Sequence, residues 1–337
     1  MLSPFRGYVP AGRGPFASDD TTARSRQIRD AAGRYHPGAV LERAVSEGLL
    51  TRTGDASLYG YRIETGDETI TGLVGVCRAA DLVPHEGTIA SAPDEPAPSI
   101  EIRPILALIE DPLPRLEAVG DAVESVEPGG ARHSLTAVDR TTPLELVAPV
   151  VADGHHRRRA ALASRGVDAT VLTMVVGDSG SGLEAGTFHR VFPHSGSLPL
   201  GASDVFDLEP LPSPEIIPGS LVWLEGRSGR AFALTPTPAA LGSIHGPLRE
   251  SPAAVAQALL YPLLGLLEHE AEHAGSLEEA VAALPAAGGA LLLPPVEIRA
   301  VMAAARSRTL LPPKASRFRP KPLRGMVLRG VDMKPDA

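Results

Sequence analysis

Val150-Val151-Ala152-Asp153-Gly154-His155-His156-Arg157-Arg158-Arg159-Ala160-Ala161 decides the fold class. The apolar run from Val147 to Ala152 reads as a strand, which Pro149 keeps short or at an edge. Asp153-Gly154 then turns the chain, and the next residues up to Arg165 have helical character. Ala169–Val176 is a second β-branched run. Strand, tight turn, helix and strand predict an α/β unit with the helix N-terminus at a strand's end. Such an N-terminus offers unpaired N–H groups and partial positive charge to an anion. Gly154 lets the backbone come close to that anion. Five consecutive basic residues, His155 to Arg159, oppose the helix dipole by ~0.3–1 kcal/mol each unless an anion offsets them.

Around this unit the pattern alternates between strands and helices. Val40, Leu41, Ala44, Val45 and Leu49 have helical spacing from Pro37 onward. Ser57–Ile63 and Thr69–Arg78 read as a hairpin around Gly66-Asp67. Ile100–Ile109 is a predicted strand, and Pro112–Val126 is predicted helical despite Gly120. Gly186–Phe192, Ser220–Glu225, Arg230–Leu234 and Ala290–Leu293 complete the strands. Pro252–Tyr261, Ser276–Ala283 and Pro295–Arg306 are the later helices. The expected fold is mixed α/β, with a core over residues 1–200 and a C-terminal α/β lobe over 201–337.

The chain has 337 residues, of which 43% are hydrophobic and 21% charged, the balance of a folded globular protein. A net charge of −8 and 13 aromatic residues argue against nucleic acid as a partner. Cys77 is the only cysteine, so neither an intrachain disulfide nor a cysteine zinc cage can form. No apolar run is long enough to cross a bilayer, and no signal-peptide pattern opens the chain; the expectation is a cytoplasmic protein. Only three lysines, Lys314, Lys321 and Lys334, stand beside 29 arginines. A lysine kept against such a bias points to a need for its compact ammonium.

Three further segments carry chemistry. His85-Glu86-Gly87-Thr88 places an imidazole, a carboxylate and a hydroxyl in one loop, a set suited to acid–base work. His269-Glu270-Ala271-Glu272-His273 matches the zinc-hydrolase spacing, which needs a helix to align both histidines. Here Gly275 and the better helix start at Ser276 follow at once, and an extended segment sets the histidines ~13 Å apart. No metal site is therefore expected. Finally, Pro312–Lys321 concentrates Lys314, Ser316 and Lys321, while Phe318, Met326, Val327 and Leu328 can anchor this tail on the fold.

Taken together, several of these residues resemble a bacterial and archaeal family known as a domain of unknown function. The shared marks are Leu58-Tyr59-Gly60-Tyr61-Arg62, His85–Thr88, Ala152–Arg157, His189-Arg190 and Pro312–Lys321, in that order. Gly154-His155-His156-Arg157-Arg158-Arg159-Ala160 also resembles the phosphate-binding box of the ParB and sulfiredoxin superfamily, and the free serine kinases within it look most similar. That resemblance implies a ParB/sulfiredoxin-like core that binds ATP or ADP with Mg²⁺ and transfers phosphate to a small hydroxylated metabolite such as a hydroxy amino acid. It casts Glu86, Asp153 and His85 in catalytic roles. Nucleotide binding would fall to Gly154, His155, His156, Arg157, Thr88, His189, Arg190, Lys314, Ser316 and Lys321, the last three on a tail that returns to the site. Residues 89–99 lack the Lys and Asp-Arg pair that usually continue this loop in the family. The second reading is therefore a non-catalytic nucleotide-sensing or scaffold module.

Overall fold

The computed structural model describes residues 1–11, 37–66, 68–87, 97–110, 112–177, 182–194, 197–226 and 228–331. Two compact units divide the chain. The first joins Met1–Val83, Pro93–Leu183 and Pro320–Ala337, and the second joins Pro84–Ala92 to Glu184–Arg319. Helices and several sheets occur throughout, so the fold is mixed α/β as expected.

In the first unit, helix α1 (Pro37–Ser46) precedes the hairpin of β1 (Leu58–Thr65) and β2 (Glu68–Arg78), which pair antiparallel as the hairpin reading predicts. The sheet also contains β3 (Ile105–Ile109), β4 (Ala118–Val126), β5 (Arg132–Val138), β6 (Val150–Asp153) and β7 (Thr170–Gly177). Their order is β6-β3-β7-β2-β1-β5-β4. Helix α2 (His155–Arg165) follows β6 directly. β6 and β7 are not neighbours: β3 lies between them, antiparallel to β6 and parallel to β7. β3 is buried along its whole length, which explains its unbroken Ile-Leu-Ala-Leu-Ile run. Val151, Ile105, Val175 and Ala161 of α2 meet in one apolar cluster that seats the helix on the sheet.

One predicted element is wrong. Ala118–Val126 is a strand, not the second half of a helix. Pro128-Gly129-Gly130 turns it onto β5, with the Gly130 N–H donating to the Glu127 carbonyl at 2.8 Å. Gly120 takes a φ of +81°, and the register shifts between Val119 and Val123, a bulge that no helix could accommodate. Cross-strand pairing overrides the modest helical propensity of this segment.

The second unit contains β8 (Glu184–Gly186), β9 (His189–Phe192), β10 (Phe206–Leu211), β11 (Leu221–Glu225) and β12 (Ala231–Pro236). β13 (Glu272–Ala274), α3 (Leu277–Ala283), β14 (Gly289–Leu292), α4 (Ile298–Arg306) and β15 (Arg317–Arg319) follow. An antiparallel sheet runs β10-β12-β11-β14-β9-β13. The expected Gly186–Phe192 strand is broken at Thr187, whose hydroxyl turns aside to the carbonyls of Leu293 and Pro294 at 2.9 and 3.0 Å. Trp223, Phe192, Tyr261 and Leu291 fill one face of this sheet. Val191, Val222, Leu224 and Ala290 fill the other. The helix begun at Pro252 widens into a π turn at Ala256–Leu260, just before Pro262 removes a backbone donor. The tail docks as its apolar residues suggest: β15 pairs with β8, setting Phe318 opposite Ala185.

Close backbone packing makes one glycine diagnostic. A Cβ on Gly75 would lie 2.6 Å from Leu58 Cδ2, 2.8 Å from Leu2 Cγ and 2.9 Å from the Ser3 carbonyl. Gly75→Ala should cost about 1–3 kcal/mol in urea unfolding, the usual penalty of overpacking; an unchanged midpoint would contradict this packing.

Candidate functional site

The first unit builds a charged cluster at the end of β6. The register against β3 shifts between Val151 and Asp153, and this irregularity aims the Asp153 side chain. Gly154 then takes φ +109° and ψ 24° as the N-cap of α2, a conformation that favours glycine. A Cβ there would meet Arg157 Nη2 at 2.8 Å and Ile105 Cγ1 at 3.0 Å. Arg157 folds back over the turn. Its Nη1 donates to the carbonyls of Arg103 and Pro104 at 2.6 and 2.8 Å, and its Nη2 donates to Asp153 Oδ2 at 2.8 Å. The Lys321 ammonium donates to Asp153 Oδ1. Arg158 Nε reaches the Leu82 carbonyl at 2.7 Å. His155 is buried and His156 exposed.

These contacts correct one expectation. The positive charge at the start of α2 is met from within the unit for Arg157 and Arg158, by a carboxylate and by backbone carbonyls, so an external anion is not needed to offset it. Burial raises the Asp153 pKa, but Lys321, Arg157 and Arg103 more than reverse that and leave its carboxyl below the usual range. Three cations therefore act on one carboxylate, and Arg103 Nε is buried with no hydrogen-bond partner among the described residues. Sequence reasoning missed Arg103; nothing in Arg103-Pro104 distinguishes it from a surface arginine. Both Asp153 oxygens are occupied by cationic donors, so the carboxylate as arranged does not suit a divalent metal. Among the described residues no group of three or more His, Cys, Asp or Glu is placed to hold a metal ion.

The second unit builds a different cluster from residues far apart in sequence. Glu86 bridges in parallel to Leu311. The Leu311 N–H donates to the His85 carbonyl at 2.8 Å, and the Gly87 N–H donates to the Leu311 carbonyl at 2.9 Å. That pairing delivers Ser316. Its hydroxyl and N–H donate to Glu86 Oε2 at 3.2 and 3.4 Å, and His85 Nε2 lies 2.8 Å from the same hydroxyl. With the hydroxyl proton on Glu86, His85 is the tautomer that donates through Nε2. The His85 ring is fully buried and packs edge-on against Phe318. Burial raises the Glu86 pKa to about 7, and the Ser316 bonds with the Lys314 and Arg190 charges only partly oppose it. The carboxyl therefore changes charge near neutral pH. Its protonated form contributes stability that is complete below 4.5 and lost as the pH rises through about 7.

Other predicted residues take structural positions. His189 is buried, its Nδ1 accepting the Leu293 N–H at 3.1 Å; burial lowers its pKa and keeps the ring neutral. Arg190 is buried against the Phe188, Pro313 and Lys314 carbonyls and Glu268. Thr88 lies outside the described residues. The His-Glu-x-x-His stretch is a short 3-10 turn at Glu268–Glu270 followed by β13, so no helix face unites its histidines. Its useful neighbour is Glu268, which accepts from Tyr261 Oη at 2.8 Å and lies 3.3 Å from His273 Nε2. Sequence reasoning examined these histidines but not the acid beside them.

The Asp153–Lys321 pair yields a pH test with a defined sign. Because the folded Asp153 pKa is lowered from 3.8, the pair contributes stability above that pH and loses it as pH falls through the folded value. Lys321→Ala should cost about 1–2 kcal/mol at neutral pH, as expected for a charged hydrogen bond. The difference should narrow in acid; a constant difference across the acid limb of urea unfolding would contradict the assignment.

Solved structures similar to the chain include a free serine kinase in complex with AMP, at 14% identity and TM-score 0.41, covering 73% of this chain and 86% of that one. A conserved hypothetical protein from Pyrococcus furiosus gives 14% identity and TM-score 0.39 over 73% of this chain and 90% of that one. SbnI with C-terminal truncation from Staphylococcus aureus gives 13% and 0.43 over 74% and 85%. No curated protein matches the chain. No described helix is long and apolar enough to cross a membrane. Over residues 20–202, more than half its length, the chain matches a family model, and it belongs to the family described as Protein of unknown function (DUF1015).

Proposed function

We propose that this protein binds ATP or ADP and transfers phosphate to the hydroxyl of a small metabolite, such as a hydroxy amino acid. In this reading residues 1–200 act as a nucleotide-binding core of the ParB/sulfiredoxin type. The same reading takes residues 201–337 as a C-terminal lobe with Lys314, Ser316 and Lys321 on its tail, whereas the two compact units place Lys314 and Ser316 in the second unit and Lys321 in the first. The observation that carries the proposal is Glu86: a carboxylate on a loop, gripped by Ser316 beside His85, that takes up a proton near pH 7. A general base works best when its pKa lies near the operating pH.

The chain's own contributions follow from this geometry. Ser316 holds Glu86 Oε2 through two donors, and in this reading the ionised carboxylate accepts the proton of an acceptor hydroxyl. His85 holds the Ser316 hydroxyl in the orientation that makes this bond. In the first unit Gly154 frees backbone at the start of α2, and Arg103, Arg157 and Lys321 supply positive charge around Asp153. Phosphoryl transfer asks mainly for such positioning and charge stabilisation. A bound nucleotide would supply the phosphoryl group. Asp153, with both oxygens occupied, anchors Lys321 and Arg157 in this reading, and no step is assigned to Mg²⁺.

Because Asp153 and Arg157 satisfy one another, a nucleotide-sensing module without turnover is the second reading. Purified protein incubated with ATP or ADP, Mg²⁺ and a panel of hydroxy amino acids distinguishes the two. The kinase reading expects a phosphorylated product, and Glu86→Gln should lower the rate by roughly 10²–10⁴-fold. Nucleotide should still raise the melting temperature of that variant. Stabilisation by nucleotide with no product from any acceptor would favour the sensing module.

A further inference from the structure

Arg190 has a fully buried side chain, yet four acceptors surround its guanidinium. Nη1 donates to the carbonyls of Phe188 and, at 3.1 Å, Lys314. Nη2 donates to the Pro313 carbonyl at 2.9 Å and to Glu268 Oε1 at 3.1 Å. Glu268 is itself held by Tyr261 and His273. A buried guanidinium is costly to desolvate and needs such acceptors; here both Nη groups are met, while Nε is buried with no hydrogen-bond partner among the described residues. What it grips is informative. Pro313 and Lys314 immediately precede Ala315-Ser316, and Lys314 has a φ of +59°, a backbone state that a residue with a side chain keeps only when its surroundings hold it. The Lys314 ammonium is fixed as well, 5.1 Å from the Phe188 ring centroid.

We infer that Arg190 is a positioning residue for Glu86: its guanidinium, anchored by Glu268, holds the Pro313–Lys314 backbone so that the Ser316 hydroxyl and amide stay on the Glu86 carboxylate. The inference rests on the reading of Glu86 as a base. It gives Arg190 an internal task in place of the ligand contact implied by resemblance. It also gives Glu268 a role as the counter-ion that keeps the clamp charged and oriented.

Among the described residues, the charged and titratable groups that act on Glu86 are His85, Lys314 and Arg190. Loss of the Ser316 donors must raise its proton affinity, because those bonds favour the ionised form. Loss of the Arg190 charge would act in the same direction, so the discriminating variant is Arg190→Lys, which keeps the charge and loses the fork. The Glu86 midpoint is read as the pH-dependent difference in unfolding stability between a chain and its Glu86→Gln counterpart. Arg190→Lys should move that midpoint upward by about one pH unit. Ser316→Ala should do the same, and the double variant should shift no further than Ser316→Ala alone. An unmoved midpoint in Arg190→Lys, or shifts that simply add, overturns the inference and leaves Glu86 as a base intact. Absence of any Glu86 titration near pH 7 in the native chain overturns both. Should Arg190→Lys not fold, Glu268→Gln serves with amide hydrogen exchange as the readout. The Ser316 amide should exchange faster than in the native chain, and unchanged exchange overturns the inference.

Discussion

The Ser316 hydroxyl, shared between the His85 imidazole and the Glu86 carboxylate, is the contact on which the second unit's chemistry depends. Burial alone would push a glutamate toward permanent neutrality, and strong donation alone would keep it ionised. Here the two oppose each other. Removal from water dominates, while the Ser316 hydroxyl and amide, with the Lys314 and Arg190 charges, hold the shift to about 7. A long-range pairing makes this balance available: Leu311 joins the loop from Pro84 to the chain more than two hundred residues later, and β15 secures the remainder against β8.

The first unit solves a different problem with the same tail. Lys321 meets Asp153, and two residues later the Leu323 N–H donates to Tyr61 Oη at 3.0 Å. Tyr61 is buried on β1 and its hydroxyl lies 3.1 Å from His133 Nδ1. The position of the ammonium is thereby tied to the central hairpin rather than to a free chain end. Asp153 in turn depends on the irregular register of β6 and on Gly154. A single glycine thus allows the close turn over which Arg157 folds back.

Much of the architecture was legible because periodicity reports burial directly. The Gly66-Asp67 turn marks the hairpin β1–β2, β3 is continuously apolar, and Asp153-Gly154 marks the strand-to-helix turn. The Ala118–Val126 strand was misread because its side chains are mostly exposed, so no apolar face announces a strand. Its signal was the Pro128-Gly129-Gly130 turn. Within the candidate site, residue types and spacing singled out Glu86, Asp153 and Ser316, but not which groups face one another. Arg157 looked like a free cation because the carbonyls of Arg103 and Pro104 carry no mark in a sequence. Glu268 and Arg103 were invisible for the same reason: their importance lies in long-range neighbours, and side-chain type alone does not encode these.

The state of one carboxyl at neutral pH tests the central claim most directly. Carbon-detected NMR of selectively labelled glutamate carboxyls, with Glu86→Gln supplying the assignment, follows that group through its own titration. The proposed balance of burial and donation predicts a midpoint near 7. A Glu86 carboxyl that ionises near the ordinary 4.5 would show that the grip of Ser316 and burial does not set its proton affinity, and would contradict the proposed base.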